Sequence, residues 1–313
     1  VTRFILGTRA SALAVAQVEL TRAALRKALP ELEVEVKTFI TRGDQKLDLS
    51  LIRANEAGGK GLFTKELEDA LLAGTIDVAV HSLKDLPGHN PPGLSVTAVL
   101  ERASSSDVLI TRLDTGFDSL PRGAILGTSS VRRARQLRWL RPDLEIQEWR
   151  GNVQTRLRKL GESDRVAGIV LAQAGLDRLG YGGGGGLLDF MSWRFHLHTL
   201  REHLLPAIGQ GAIALQSRAD RAEVATVLRH IDHEPTHVAI RAERELQRLL
   251  SGDCSLPVGV RTVLSGDRLH LDGILFPPEE NTAPVRASAE GIRSAPEAVA
   301  AELFARLAPA PAL

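Results

Sequence analysis

Cys254 is the only cysteine in a chain of 313 residues, and it stands in the run Ser251-Gly252-Asp253-Cys254-Ser255-Leu256-Pro257-Val258-Gly259. One thiol closes no internal disulfide and, without a second cysteine, begins no thiolate metal cage. It is either a small buried hydrophobe or a nucleophile that holds a group covalently, and on residue type alone the buried reading is the commoner. The glycines and proline around it speak against a core strand or helix.

The segment His81-Ser82-Leu83-Lys84-Asp85-Leu86-Pro87 concentrates further reactive types. A hydrolytic triad does not follow, because the serine lacks a Gly-x-Ser-x-Gly elbow and a triad is defined by geometry rather than closeness in sequence. A single carboxylate among cations is the better use: Asp85 could stabilise positive charge and shuttle a proton. The plain alternative is a salt bridge to Lys84 or a helix cap.

Three more segments, Gly7-Thr8-Arg9-Ala10-Ser11, Gly127 to Arg133 and Trp149 to Arg156, each follow an apolar run and open a helix. Backbone N–H groups, a hydroxyl or amide and an arginine converge there, which makes an anion site. Any one of them could be simple capping. Capping alone does not explain an arginine in reach of all three.

The charge pattern agrees. The net charge is +1, but the chain has 32 arginines and 7 lysines, and Thr128 to Arg178 holds 11 basic against 6 acidic residues. Arginine's planar fork suits carboxylates and phosphates, although a solvated basic face would give the same count. The charge near zero and 4% aromatic content offer no broad basic footprint or stacking platform for nucleic acid. No apolar run approaches a membrane span and no signal-peptide pattern opens the chain, so a reducing cytoplasm is expected. The nine histidines show no metal-ligand pattern, so no metal is expected; His230, His233 and His237 read as an exposed helix junction.

These segments need positioning elements, and the first ~230 residues supply an alternation of strands and helices. Strands are expected at Phe4-Leu6, Val34-Phe39, Ile76-Val80, Val108-Ile110, Ala124-Leu126, Leu144-Trp149 and Gly168-Leu171. Helices are expected at Ser11-Leu29, Phe63-Leu72, Ser130-Leu140, Val153-Leu160 and Ala172-Leu179. That rhythm predicts α/β units with mainly parallel sheets. The last ~80 residues read as a helix over Thr236-Leu250, three strands and a final helix over Pro296-Leu307, a small α+β unit. The five glycines Gly182 to Gly186 predict a flexible turn or an insertion.

In order along the chain, Gly7 to Ala14, Thr41-Arg42-Gly43-Asp44, Gly58 to Glu68, Val80 to Leu86, Gly127 to Arg133, Arg150-Gly151-Asn152-Val153 with Thr155-Arg156-Leu157, Leu171 to Leu179, Pro206 to Ala212 and the cysteine run resemble the porphobilinogen deaminase (hydroxymethylbilane synthase) family. Each motif is weak alone. Nine in register over nearly the whole chain are a strong signal.

The resemblance implies an enzyme that condenses four porphobilinogen molecules into the linear tetrapyrrole hydroxymethylbilane, releasing ammonia at each step. It implies a dipyrromethane cofactor held by a thioether to Cys254, and no metal or nucleotide. The implied fold has two α/β domains like those of type II periplasmic binding proteins and a smaller α+β domain with the cysteine. The corresponding boundaries are 1–100 with 212–230, 105–205, and 234–313. Asp85 matches the catalytic aspartate. Cys254, Lys84, Ser82, Ser130, Arg132, Arg133 and Gly151 are expected to hold the cofactor. Arg9, Ser11, Arg150, Asn152, Arg156, Arg178 and Gln210 are expected to hold substrate, with Lys60 and Phe63 in a loop over the cleft. Porphobilinogen is the expected partner, with no nucleic acid or membrane, and the expected state is a monomer.

Some positions depart from the family pattern. Asp253 replaces a glycine common before the cysteine, and Tyr181 to His203 fits no pattern. Arg53 is left out because its spacing to Gly58 is irregular. Two other classes remain: a two-lobed solute-binding protein, against which Cys254 and the third unit argue, and nucleic-acid binding through the basic run Val131 to Arg138.

Overall fold

The protein is described by a computed structural model over residues 3–41, 64–182, 184–250, 257–279 and 282–308. Each of its two larger lobes is built on a mixed sheet. The first contains β1 (Arg3–Arg9), β2 (Glu33–Phe39), β3 (Val78–Ser82), β4 (Leu94–Val99) and β11 (Ile213–Arg218), in the order β2-β1-β3-β11-β4. Helix α1 (Ala12–Ala28) packs on it because Ala14, Gln17, Val18, Thr21 and Leu25 recur at helical spacing and are buried. The lobe also holds α2 (Lys65–Leu72) and, after β11, α6 (Ala222–Arg229).

The second sheet has the order β7-β6-β8-β5-β10-β9. Its strands are β5 (Asp107–Thr111), β6 (Ile125–Gly127), β7 (Glu145–Gln147), β8 (Val166–Ala172), β9 (Leu187–Phe190) and β10 (Trp193–Thr199). Helices α3 (Val131–Leu140), α4 (Val153–Glu162) and α5 (Gln173–Arg178) alternate with them. A small antiparallel sheet of β12 (Val258–Ser265), β13 (Arg268–Leu275) and β14 (Val285–Ile292) is covered by α7 (Glu234–Leu249) and α8 (Pro296–Leu307). Their shared core includes Leu246, Val260, Leu271 and Leu303. The fold class is the expected one, two α/β lobes and a smaller α+β unit.

The expectation of mainly parallel sheets is corrected. β1 runs parallel to β2 and β3, and β6 to β7 and β8. However, β11 is antiparallel to β3 and β4, β5 to β8 and β10, and β9 to β10. The cause is connectivity. β5 and β11 enter their sheets straight from the opposite lobe, with no crossover helix to turn them parallel.

The stretch that fits no family pattern contains a hairpin, β9 and β10, over Leu187–Thr199. Arg194-Phe195-His196-Leu197-His198 alternates polar and apolar residues, and β9 and β10 form an edge hairpin with Phe195 fully buried. Trp193 lies where a side chain on Gly161 would otherwise stand. Gly184–Gly186 makes a kinked turn before the hairpin, with Gly185 at φ +80° and Gly186 at φ +75°, conformations that favour glycine. At the junction near residue 233, His233 caps α7 and His237 pairs with Asp232 at 2.8 Å.

The chain crosses between the lobes near residues 100–106 and again near 200–212. Glu243 of α7, fully buried, ties both crossings to the small sheet. It accepts from Arg102 Nη1 at 2.5 Å, from the Gly209 N–H at 2.7 Å and from the Thr262 hydroxyl at 2.7 Å. Gly211, at φ +89°, would bring a Cβ within 2.4 Å of the Ala103 carbonyl oxygen. Gly211→Ala is therefore expected to lose about 3 kcal/mol of stability, read as a lower urea midpoint. An unchanged midpoint would contradict this packing.

Candidate active site

In the first lobe, β3 gives way at Ser82 to a 3-10 turn, Leu83–Asp85, closed by the Leu86 N–H on the Leu83 carbonyl at 3.0 Å. Leu83 and Leu86 are buried and pin the turn, which leaves Lys84 and Asp85 half-buried between them. A cavity of about 50 Å³ opens beside it, lined in part by Arg9, Ser11, Gln17, His81, Ser82 and Asp85. Ser11 caps α1 by accepting the Ala14 N–H at 3.4 Å, and the Ser82 hydroxyl is held by the Gln17 amide at 2.8 Å.

In the second lobe, Ser130 caps α3 by accepting the Arg133 N–H at 3.4 Å. The next turn sends Arg132 and Arg133 inward, both buried, onto one carboxylate. Arg132 Nη1 donates to Asp107 Oδ2 at 2.8 Å, and Arg133 Nε donates to Oδ1 at 2.9 Å. Gln210 Nε2 donates to the same Oδ1 at 2.9 Å and to the Ser105 carbonyl at 2.6 Å. Burial alone would raise the Asp107 carboxyl. The Arg132 and Arg133 charges, with the bonds from Arg132 and Gln210, outweigh burial and hold it well below the usual carboxylate range. One carboxylate against two guanidinium groups leaves this cluster positive. Arg132 Nε is buried with no hydrogen-bond partner among the described residues.

Arg156 adds to that excess. Its Nε donates to the Gly151 carbonyl at 2.8 Å and its Nη2 to the Ser129 hydroxyl at 3.0 Å. Burial first, then the charges of Arg133 and Arg150, lower its pKa to about 10. Gly151 sits at φ +119°, where a Cβ would come 2.7 Å from the Thr155 side chain, so the turn into α4 requires glycine. Asn152 caps α4 by accepting the Thr155 N–H at 2.8 Å. Arg150 donates through Nε to Glu148 at 3.0 Å. Arg178 donates to the Gly211 carbonyl at 2.6 Å, at the crossing between the lobes.

Lys84 links the two halves electrostatically. Burial lowers its pKa to about 8; the Asp85 and Asp107 charges oppose this, and those of Arg133 and Arg132 reinforce it. The structure thus brings Arg9, Ser11, Ser82 and Asp85 to one cavity, and gathers Arg132, Arg133 and Gln210 on Asp107, within electrostatic reach of Lys84. Ser130, Arg150, Gly151, Asn152 and Arg156 stand at the helix starts of the same lobe. Cys254, Lys60, Phe63 and Asp253 lie outside the described residues.

The sequence motifs include His81 and Ser129 without giving either a role, and they do not point to Asp107 or Gln17. Asp107 had a signal: an acid opening the wholly buried strand Asp107–Thr111 must find a counter-ion. Its partners lie too far along the chain for spacing to name them.

Residues 4–226 match the family model described as porphobilinogen deaminase, dipyromethane cofactor binding domain, and residues 237–308 match porphobilinogen deaminase, C-terminal domain. The porphobilinogen deaminase of Desulforudis audaxviator is 45% identical over 303 residues, covering 97% of this chain and 93% of its own. That of Syntrophomonas wolfei is 44% identical over 270 residues, covering 86% and 84%. Among solved structures, the periplasmic aliphatic sulphonate binding protein SsuA from Escherichia coli aligns over 80% of this chain and 71% of its own, at 13% identity and a TM-score of 0.41, too distant to bear on ligands. With both family models matched in order and relatives near 45% identity over almost their whole length, the chain belongs to the porphobilinogen deaminase family.

Proposed function

We propose that Asp85 is the catalytic carboxylate of this family member, and that the guanidinium groups around it bind the acetate and propionate side chains of porphobilinogen and of the growing chain. The enzyme joins four porphobilinogen units stepwise into hydroxymethylbilane, with release of ammonia. The observation that carries the residue assignment is a half-buried carboxylate on a pinned turn, beside a cluster whose guanidinium groups outnumber its carboxylates.

Dipyrromethane, with an acetate and a propionate on each ring, is a polyanion, and the donors present fit it. Arg132 keeps a buried Nε–H without an acceptor among the described residues, and the causes of the Arg156 shift include no compensating acid. Arg132, Arg133, Ser130, Gly151, Lys84 and Ser82 would hold it, with Cys254 as the thioether ligand. When bound, it supplies the pyrrole carbon to which the first unit is joined. Loss of ammonia from the aminomethyl carbon of porphobilinogen leaves positive charge spread onto the pyrrole nitrogen. Asp85 stabilises that charge, while Arg9, Arg150, Arg156 and Arg178 hold the side-chain carboxylates and Ser11, Asn152 and Gln210 orient the groups around them. Lys60 and Phe63 are assigned to the cover of the cleft.

The chain is assigned as a monomer. It is assigned to the cytoplasm, where reducing surroundings keep a lone thiol free; no helix among the described residues is long and apolar enough to cross a membrane. Nucleic acid is not among the proposed partners. The basic run on α3 offers no exposed row of charges, because Arg132 and Arg133 are buried and turn inward toward Asp107, and Arg135 donates to the Pro277 and Glu279 carbonyls at 2.5 and 2.7 Å. DNA affinity is expected to be negligible at physiological salt.

Incubation with porphobilinogen tests the function. Ammonia and a linear tetrapyrrole in a four-to-four-unit balance support it; binding without ammonia release contradicts it. Arg156→Gln is expected to weaken porphobilinogen binding roughly tenfold or more, by losing a charge-assisted bond of ~1.5–3 kcal/mol. Stability should change by no more than about 1 kcal/mol, because no acid is left unpaired. Arg132→Ala differs in this respect: it strips a buried partner from Asp107 and should lower stability as well.

A further inference from the structure

His81, near the end of β3, lines the same cavity as Arg9, Ser11 and Asp85, yet the reaction as assigned gives it no part. Its Nε2 lies 3.2 Å from Gln216 Oε1 in the buried layer behind the cavity. Gln216 in turn directs its amide nitrogen at Glu68 Oε1, 3.5 Å away. An amide nitrogen only donates, so the Gln216 oxygen faces the ring and His81 Nε2 carries the hydrogen. Nδ1 is then the lone-pair nitrogen. It has no hydrogen-bond partner among the described residues, and it is not among their sealed, unpartnered atoms.

The ring is also uncharged. Burial, with help from the charges of Arg9 and Arg244 and against the Gln216 bond, lowers its pKa to about 4. Among the cavity's other polar groups, Ser11, Ser82 and Gln17 are already hydrogen-bonded, the Thr64 hydroxyl is sealed from the cavity, Arg9 is a cation and Asp85 is an acid, which leaves the His81 ring as the neutral acceptor. Porphobilinogen brings one cation of its own, the ammonium of the aminomethyl arm. Guanidinium groups repel it, and Asp85 is needed at the pyrrole nitrogen.

Resting on the function proposed above, we propose that His81 Nδ1 accepts a hydrogen bond from the aminomethyl ammonium of the incoming porphobilinogen and so aims the C–N bond that breaks. When that bond breaks, its electron pair leaves with nitrogen as ammonia and the positive charge stays on the pyrrole-methylene unit. His81 neither gains nor loses a proton.

Two substitutions separate this role from packing. His81→Gln places an amide where Nε2 stood, keeping the Gln216 contact but leaving no acceptor at the Nδ1 position. His81→Asn keeps an acceptor near Nδ1 and gives up the Gln216 contact. Both are measured on protein whose covalent cofactor has been verified by mass, with two probes. One is porphobilinogen. The other is a competitive inhibitor with the same acetate and propionate but a methyl group in place of the aminomethyl arm. His81→Gln is expected to lower kcat/KM for porphobilinogen on the order of tenfold while the inhibition constant of the methyl compound stays within about twofold, and His81→Asn to recover most of the loss. Equal weakening of both probes, no weakening of either, or a larger loss in His81→Asn than in His81→Gln would overturn the proposal. Wild-type protein with neither cofactor mass nor ammonia release would overturn it together with the reading on which it rests.

Discussion

Asp85→Asn is expected to slow single-turnover ammonia release from cofactor-loaded protein by at least two orders of magnitude. The substitution keeps size and hydrogen-bonding capacity and removes only charge. If Asp85 merely bridged Lys84 at a wet surface, the loss would be ~0–1 kcal/mol of stability with turnover intact. Facing a developing cation in a partly closed cleft, the lost electrostatic stabilisation should be ~3 kcal/mol or more. Loading must be verified first, because a variant unable to build its cofactor would mimic the effect.

The pH dependence separates Asp85 from its neighbour. The Asp85 charge raises the Lys84 pKa, which stands at about 8, so Asp85→Asn moves Lys84 lower and favours its neutral form near neutrality. If the defect arose only from that lost ammonium, assay at pH 6 would restore activity by reprotonating Lys84. Loss of cation stabilisation persists at pH 6. Near-wild-type release by the loaded variant at either pH would remove Asp85 from the mechanism.

The second large effect is at Cys254. Cys254→Ser is expected to leave a folded protein that holds no covalent pyrroles and has little activity. At neutral pH a hydroxyl is a far poorer nucleophile than a thiol with its thiolate fraction. Serine differs from cysteine by one atom of similar size, so the urea midpoint should move little. A variant that unfolds while wild type carries no added mass would return Cys254 to the buried-hydrophobe reading.

The candidate residues were legible because the groups that matter lie close together in the chain. Asp85 sits five residues past Val80, and the arginines fall beside helix starts, where Ser11, Ser130 and Asn152 announce the caps. The helical spacing of apolar residues likewise marks α1 and α7, and the apolar run Val78-Ala79-Val80 marks β3. What spacing could not give was pairing over distance. The Asp107 cluster joins residues 25 to 103 positions apart, and only the folded chain shows that Arg132 and Arg133 meet a protein carboxylate before any ligand. Strand direction was hidden for the same reason, since β5 and β11 take theirs from where the chain crosses between lobes. The β9–β10 hairpin gives a weak sequence signal because its strands pair over only four residues each and stand beside a glycine run, so the period-two alternation is too short to mark two strands.

The central claim is that two pyrrole units are bound covalently through Cys254, and intact mass under denaturing conditions tests it most directly. Wild-type protein incubated with porphobilinogen and then denatured should carry the chain mass plus two pyrrole units, and Cys254→Ser treated identically should carry the chain mass alone. Wild type that releases ammonia from porphobilinogen while showing only the bare chain mass would contradict the account, as would an unchanged adduct on Cys254→Ser.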